Sequence, residues 1–563
     1  MFAQQPAPPA AAVGLVGARV DEYLSRLVPF GFSGAVLVAQ DGKVALEKGY
    51  GLANREKHVP YAADTVSTIG SITKMFTAAA ILKLEVQGRL HVEDPIAKYL
   101  PDVPPDKAAI TIHQLLTHTG GLRADYGGRD SDPISRDELV KLVLTTPLVS
   151  APGARFEYSN EGYSLLGAIV ERVSEQRYEQ YLRENILKPA GMLDTGYVLP
   201  SWNADRLAHG YMEGRDWGTM PEKGWREDGP GWYLKANGGL HSTVGDLYKW
   251  HLALDRSAVL SATAREKYTK PYVAEGPQAR SFYAYGWAVF TTPRQTKLVA
   301  HNGGNGIFAA DFRRYIDEKT VLIAMSNAEV TAIDVTQVLD AVIFGQPFVM
   351  PPSVTTLPPE ALARLAGTYR FPSGATIEVS VDGDALLIAS DDPESFRVLN
   401  FLDLPRSVPS EAESRTRSIV EAGAIGDFET VRKAMGGDRP IDRIRQNQGA
   451  VWTRWRERIG EFQRVEIMGS GRSGPGDSVF VRVVGERGSQ LVQFAWEAGE
   501  MMMMRPFDQL PATRMLPGGQ TDFAAFRVPR FARAHFWLGS ADAPGSVMLN
   551  GSGGGSLRAT KVK

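Results

Sequence analysis

The most constraining stretch of this chain is SITKMFTAAAILKL, residues 71–84. Its apolar residues Ile72, Met75, Phe76, Ala79, Leu82 and Leu84 are too dense for one stripe of a surface helix, so the spacing predicts a helix covered on most sides. A lysine, Lys74, stands at the front of that run, three places after Ser71. Any fold open to this chain has to account for that amine.

A helix so covered needs a large core. The chain has 563 residues, 43% hydrophobic and 22% charged, and at roughly 100 to 200 residues per domain this predicts about three domains. Lys and Arg number 62 against 64 Asp and Glu, with no basic stripe, which excludes the electrostatic footprint of a nucleic-acid partner. The absence of cysteine excludes disulfides, thiolate nucleophiles and thiolate metal sites. No apolar run reaches the length of a membrane-spanning helix. Residues 1–14 open with MFAQQPAPPAAA, which has neither a basic n-region nor an apolar core; we expect a tether left by a removed leader, and hence a periplasmic or secreted protein.

The reading along the chain gives a helix over 16–31, two strands around Asp41-Gly42 over 34–54, helical segments to about 195, and a Gly- and Trp-rich surface loop over 214–237. Strands follow at 282–290, 306–315 and 320–327, then a helix at 332–345. One domain is expected over 15–345, its sheet assembled from both ends of the segment. A proline-flanked linker occupies 346–360. Beyond it, alternating apolar and polar residues over 365–389 read as antiparallel barrel strands, 410–460 as helical, and 479–485 and 491–499 as strands. We expect a barrel made of 361–394 and 506–563, split by an α+β insertion at 395–505. The Met501–Met504 run reads as strand packing.

Three elements carry candidate chemistry. In the first, Ser71 and Lys74 lie one turn apart on nearly the same helix face, so the amine can reach the hydroxyl. A serine is a poor nucleophile without a base, and a lysine among Ile72, Met75 and Ala78 has its charged form disfavoured by desolvation. The plainer alternative is an N-cap serine with a snorkelling lysine. In the second, Tyr158-Ser159-Asn160 precedes a helix; Tyr158 and Asn160 can face one cleft, the phenol relaying protons and the amide orienting substrate and lysine. A cap and a packed ring is the alternative. In the third, His301-Asn302-Gly303-Gly304 places paired glycines at a strand edge, open to close backbone approach, with the Gly304 N–H free to point at a substrate; alternatively it is a turn. No Gly-x-Ser-x-Gly elbow and no His-Glu-x-x-His occurs, so neither an α/β-hydrolase nor a zinc hydrolase of those types is expected.

The order Ser-x-x-Lys, Tyr-x-Asn, His-x-Gly, with LLTHTGGL at 115–122 and NGGLHSTVGDL at 237–247, resembles the class C beta-lactamase-like serine hydrolases, a group of beta-lactamases, DD-carboxypeptidases, D-aminopeptidases and esterases. The resemblance covers about 15–345. It implies an α+β, beta-lactamase/transpeptidase-like fold: a five-stranded antiparallel sheet flanked by helices, plus a helical subdomain. It also implies Ser71 as nucleophile, Lys74 and Tyr158 as the proton-transfer pair, and Asn160, His301, Gly303 and Gly304 as substrate-binding positions, the Ser71 and Gly304 N–H groups forming an oxyanion hole. His118, Thr119 and residues 237–239 are read as structural. No metal and no cofactor is implied. The expected reaction is acyl transfer from amide or ester carbonyls, with a D-amino-acid peptide or carboxylester as substrate; the alternative is a silent protein that binds cell-wall peptides. Where class C beta-lactamases carry Lys-Thr-Gly this chain has His-Asn-Gly, which argues against efficient beta-lactam hydrolysis, since a histidine near pKa 6.5 holds a carboxylate less constantly than a lysine. Tyr126, Trp217, Trp225 and Trp232 are candidate pocket liners. The part after the linker resembles lipocalin-like barrels, with an insertion similar to the nuclear-transport-factor-like cone.

Overall fold

The structure, a computed structural model, describes residues 14–562 apart from 125, 213, 277–279, 391, 401–408, 436–440, 474–475, 498, 508–511, 541–543 and 552–555. The expected tether therefore lies outside the described residues, save Gly14. Two compact units divide between Phe348 and Val349. Among the described residues no helix is long and apolar enough to cross a membrane.

The first unit is built on one antiparallel sheet. Its long strands are β1 (Gly34–Gln40), β2 (Lys43–Tyr50), β3 (Lys297–Gly304), β4 (Ala309–Tyr315) and β5 (Thr320–Ser326), in the order β2-β1-β5-β4-β3. Three short strands, Ala288–Thr291, Ser281–Tyr283 and Val273–Ala274, extend the sheet beyond β3. The sheet closes from both ends of the unit, since β1 pairs with β5 from Gly34 opposite Ser326 to Gln40 opposite Thr320. Asp41 and Gly42 both take positive φ at the β1–β2 turn, which suits a two-residue hairpin.

Both faces of the sheet are covered. Ala35, Leu37 and Ala39 of β1 point into one core with Ile323 of β5, Ala78 and Leu82 of α2 (Thr73–Val86) and Trp250 of the helix Val244–Asp255. Val36 and Val38 point the other way and are buried as well. That face is covered by α1 (Gly14–Leu27) and the helix Ala332–Ile343, which pack on each other and on the strands. Such two-sided cover explains why these strands read as continuous apolar runs.

Three expectations need correction. FYAYGWAVF, read as one strand, is a hairpin pairing Ser281 with Phe290, turned at Gly286, whose φ is +74°. The span 214–237 is not a surface loop throughout: Trp232, Leu234 and Ala236 are buried in the main core, and the Ala236 carbonyl and N–H are satisfied by Thr77 and Tyr197. Ser71 does not begin the α-helix; it sits in a 3-10 turn, Gly70–Ile72, that leads into α2.

The second unit holds a closed eight-stranded barrel. Gly367–Arg370, Thr376–Asp382 and Ala385–Ser390 supply its first strands and the segments from Thr513–Pro517 to Ser556–Lys561 the rest. Between them a four-stranded sheet, Phe462–Ser473 to Glu500–Phe507, packs its own core of Trp452, Trp455, Phe494 and Trp496 against helices. In the methionine run Met501 is buried and Met504 packs on this core, whereas Met502 and Met503 are exposed.

Candidate active site

Lys74 is fully buried on the first turn of α2. Its Nζ donates to Ser71 Oγ at 3.2 Å, to Asn160 Oδ1 at 2.8 Å and to the carbonyl of Asn237 at 2.9 Å. Burial pulls its pKa down to about 7, with Glu161 and Asp130 opposing through their charge. Two of the three acceptors cannot donate. Asn237 was assigned to a structural stretch, yet its carbonyl holds the amine, while its Nδ2 donates to Ser164 Oγ and to the carbonyl of Tyr233. A backbone oxygen leaves no mark in a side-chain pattern, so the sequence carries no signal for it.

Tyr158 lies beside this amine, with Nζ 4.8 Å from the centre of its ring. Burial pushes the phenol well above its ordinary value while the hydroxyl of Ser71 acts in the opposite direction, so the phenol is neutral near pH 7. Ser159 caps the helix Asn160–Ser174 by accepting the Gly162 N–H at 3.3 Å. The cap that the plainer reading offered is therefore present, and it leaves Tyr158 and Asn160 on either side of it beside Lys74.

Gly303 and Gly304 end β3 backbone-on-backbone against the turn that carries Ser71. A Cβ on Gly303 would stand 2.2 Å from the carbonyl oxygen of Ile69 and 2.5 Å from the Ser71 nitrogen, and one on Gly70 2.4 Å from the Gly304 nitrogen. Only glycines allow these two segments to lie so close. Ser71 also stands at the start of a helical segment, where N–H groups lack intrahelical acceptors.

His301 is positioned differently from a substrate-binding cation. Its Nδ1 lies 2.6 Å from the carbonyl oxygen of Asn302, an acceptor only, so Nδ1 carries the proton and Nε2 accepts from the Tyr283 hydroxyl at 3.0 Å. Burial, aided by the charge of Lys74, pulls its pKa down to about 4. Near neutral pH the imidazole is uncharged and both nitrogens are occupied, so the expected intermittent hold on a substrate carboxylate has no free donor here. Tyr283, its partner, was missed because it lies in the run read as a single strand.

Of the candidate liners, Trp232 belongs to the core, Trp225 packs on Tyr197 and His241, and Trp217 lies edge-on to Phe308, which follows the Gly304 turn. Tyr126 is half-buried on the loop before Asp130, whose charge acts on Lys74. Glu275 acts likewise on Tyr158. The groups named around Ser71 that carry charge are thus Lys74 and carboxylates.

This fold is that of a serine hydrolase. The chain belongs to the Beta-lactamase family, whose signature matches residues 31–342. It is 28% identical over 381 residues, 63% of this chain and 83% of the other, to penicillin-binding protein 4* of Bacillus subtilis. Among solved structures it is similar to the octameric penicillin-binding protein homologue of Pyrococcus abyssi, with a TM-score of 0.53 and 23% identity, covering 89% of this chain and 100% of that one. It is also similar to EstCE1, a hydrolase with promiscuous acyltransferase activity, with a TM-score of 0.50 and 21% identity, covering 58% of this chain and 98% of that one.

Proposed function

We propose that the protein cleaves ester or amide carbonyls through an acyl-enzyme on Ser71, with Lys74 as the base and Tyr158 as a neutral proton relay. The observation that carries this reading is the arrangement of acceptors around Lys74. Asn160 Oδ1 and the Asn237 carbonyl take two N–H bonds in either protonation state. A neutral amine then has its lone pair left for the third direction, toward Ser71 Oγ at 3.2 Å. A pKa near 7 makes that form available at working pH. The serine proton passes to Nζ as Oγ attacks the carbonyl carbon, and the N–H groups of Ser71 and Gly304 face the oxyanion. The phenol of Tyr158 carries the proton on to the leaving group, and water resolves the acyl-enzyme.

The charge pattern favours some carbonyls over others. A neutral, fully bonded His301 gives no cation for a free carboxylate next to the scissile bond, and Asp130 and Glu275 oppose one. Carboxylesters and uncharged amides are therefore preferred over beta-lactams and peptides with a free terminal carboxylate. A panel of p-nitrophenyl esters, D-alanyl p-nitroanilides and a chromogenic cephalosporin, run with wild type and Ser71→Ala, tests this. Expected are ester turnover, a fluorophosphonate adduct by intact mass on wild type, and neither on Ser71→Ala. A wild type that takes no adduct would sink the reading, and a cephalosporin turned over faster than the esters would sink the preference.

A further inference from the structure

The buried imidazole of His118, 3% exposed, is used by none of the steps above. It holds Tyr158 on three sides. The carbonyl of His118 accepts the Glu157 N–H at 2.8 Å, and its Nδ1 accepts the Ser159 N–H at 3.1 Å, so both neighbours of the tyrosine are tied to one residue. Between them the Tyr158 ring lies against the imidazole, centroids 4.3 Å apart and planes 33° from parallel. A φ of +56° at His118 is what turns its carbonyl and its side chain toward the same segment. Tyr163, Tyr283 and Phe156 wall the remaining faces of the ring at 5.0, 4.7 and 5.7 Å.

We propose that His118 is the positioning residue for Tyr158, fixing the phenol beside Ser71 and Lys74 as a neutral imidazole with its proton on Nε2. The inference rests on the acyl-enzyme reading only for what Tyr158 does, not for how it is held. The tautomer follows from Nδ1, which accepts a backbone N–H and so has no hydrogen of its own. Nε2 is buried and finds no hydrogen-bond partner among the described residues. The charged groups and titratable rings facing His118 are Lys74, His301, Tyr158, Tyr163 and Tyr283; a second cation beside Lys74 is opposed by charge as well as by burial.

A double-mutant cycle separates positioning from mere stability. His118→Phe keeps a ring and deletes the acceptor; His118→Asn keeps an amide acceptor and deletes the ring. Expected for His118→Phe is a loss of about 10²-fold in the acylation rate, the scale of a misplaced reacting group, with KM for a p-nitrophenyl ester unchanged. The same substitution made on Tyr158→Phe should cost nothing further. Equal losses in both backgrounds would overturn the proposal, and if His118→Phe does not fold, the His118→Asn cycle decides on the same terms. Nitrogen-15 NMR of imidazole-labelled wild type gives a readout independent of activity. A neutral His118 protonated on Nε2 is expected throughout the range in which an ordinary imidazole titrates, and titration near the ordinary value of about 6.5, or a proton on Nδ1, would overturn it. A wild type that takes no fluorophosphonate overturns the acyl-enzyme reading by itself and leaves the NMR result to decide His118.

Discussion

Replacing Gly303 by alanine tests whether the two backbone segments around Ser71 form one oxyanion site. The added carbon would stand 2.2 Å from the Ile69 carbonyl oxygen and 2.5 Å from the Ser71 nitrogen. Non-bonded atoms rest at about 3.5 Å or more, so strand and turn must part by about 1 Å. Neither side yields cheaply. The turn is pinned by the Ile69 N–H to the Leu240 carbonyl at 2.8 Å, and β3 by its ladder to β4, Gly303 opposite Ala310. Overpacking of this kind costs about 1–3 kcal/mol of stability, and loss of one oxyanion donor costs about 10²- to 10³-fold in kcat. Gly304→Ala is the control: its carbon would meet the Phe308 carbonyl oxygen at 3.0 Å and nothing else closer than 3.7 Å. We expect Gly303→Ala to lose that much of the burst rate with a p-nitrophenyl ester, assayed well below its melting temperature, at little change in KM, and Gly304→Ala to lose far less. A Gly303→Ala enzyme with wild-type burst rate and melting temperature would refute the reasoning.

Two other outcomes follow from the same geometry. With Lys74 held down to about 7, kcat/KM should fall as pH drops below about 7, and stability should carry the same signature. The unfolded chain binds the lysine proton up to about pH 10.4, so wild type should gain about 1.4 kcal/mol per pH unit above pH 7. Lys74→Met should lack that gain, and parallel melting curves for the two proteins from pH 6 to pH 9.5 would contradict the shift. Every residue placed around Ser71 precedes Phe348, where the first unit ends, so a chain lacking 349–563 should still take the fluorophosphonate on Ser71; an intact-mass spectrum without the adduct, on a folded truncation, would assign the second unit a part in the chemistry.

The parts legible in the sequence are those written in side-chain periodicity and turn residues. The run from Ser71 to Leu84 is apolar on every face because it is buried on nearly every face, and Asp41-Gly42 announced its hairpin because few other pairs take positive φ twice. What stayed hidden was written in the main chain or in long-range packing. FYAYGWAVF has strand composition at both ends and turns at Gly286, which takes a φ of +74° and where a Cβ would stand 2.7 Å from the Lys74 carbonyl oxygen. Of the three tryptophans in 214–237, Trp232 is buried in the main core while Trp217 and Trp225 are half-buried against it, and only the tertiary fold separates them. His301 reads as a cation in the sequence because nothing nearby in the chain announces the Tyr283 hydroxyl that occupies it.

The amine that the apolar helix had to accommodate is tolerated because its surroundings change little when it titrates. Asn160 Oδ1 and the Asn237 carbonyl keep their hydrogen bonds whether Nζ carries two protons or three. Only the bond to Ser71 reverses: the ammonium donates to Oγ, and the free amine accepts from it. In the proposed reaction, gaining the serine proton would therefore ask for no rearrangement of the groups around the nitrogen, which is the condition under which fixed dipoles lower a barrier most. A lysine held by three carboxylates would be anchored equally well, yet its charge would be locked in, and the base would be lost. The acceptors that secure Lys74 are instead neutral amides and a hydroxyl, and the carboxylates Glu161 and Asp130 act on it through their charge. On the proposed mechanism, that choice of partners is what would turn a buried lysine from a structural liability into a group that takes and returns a proton near pH 7.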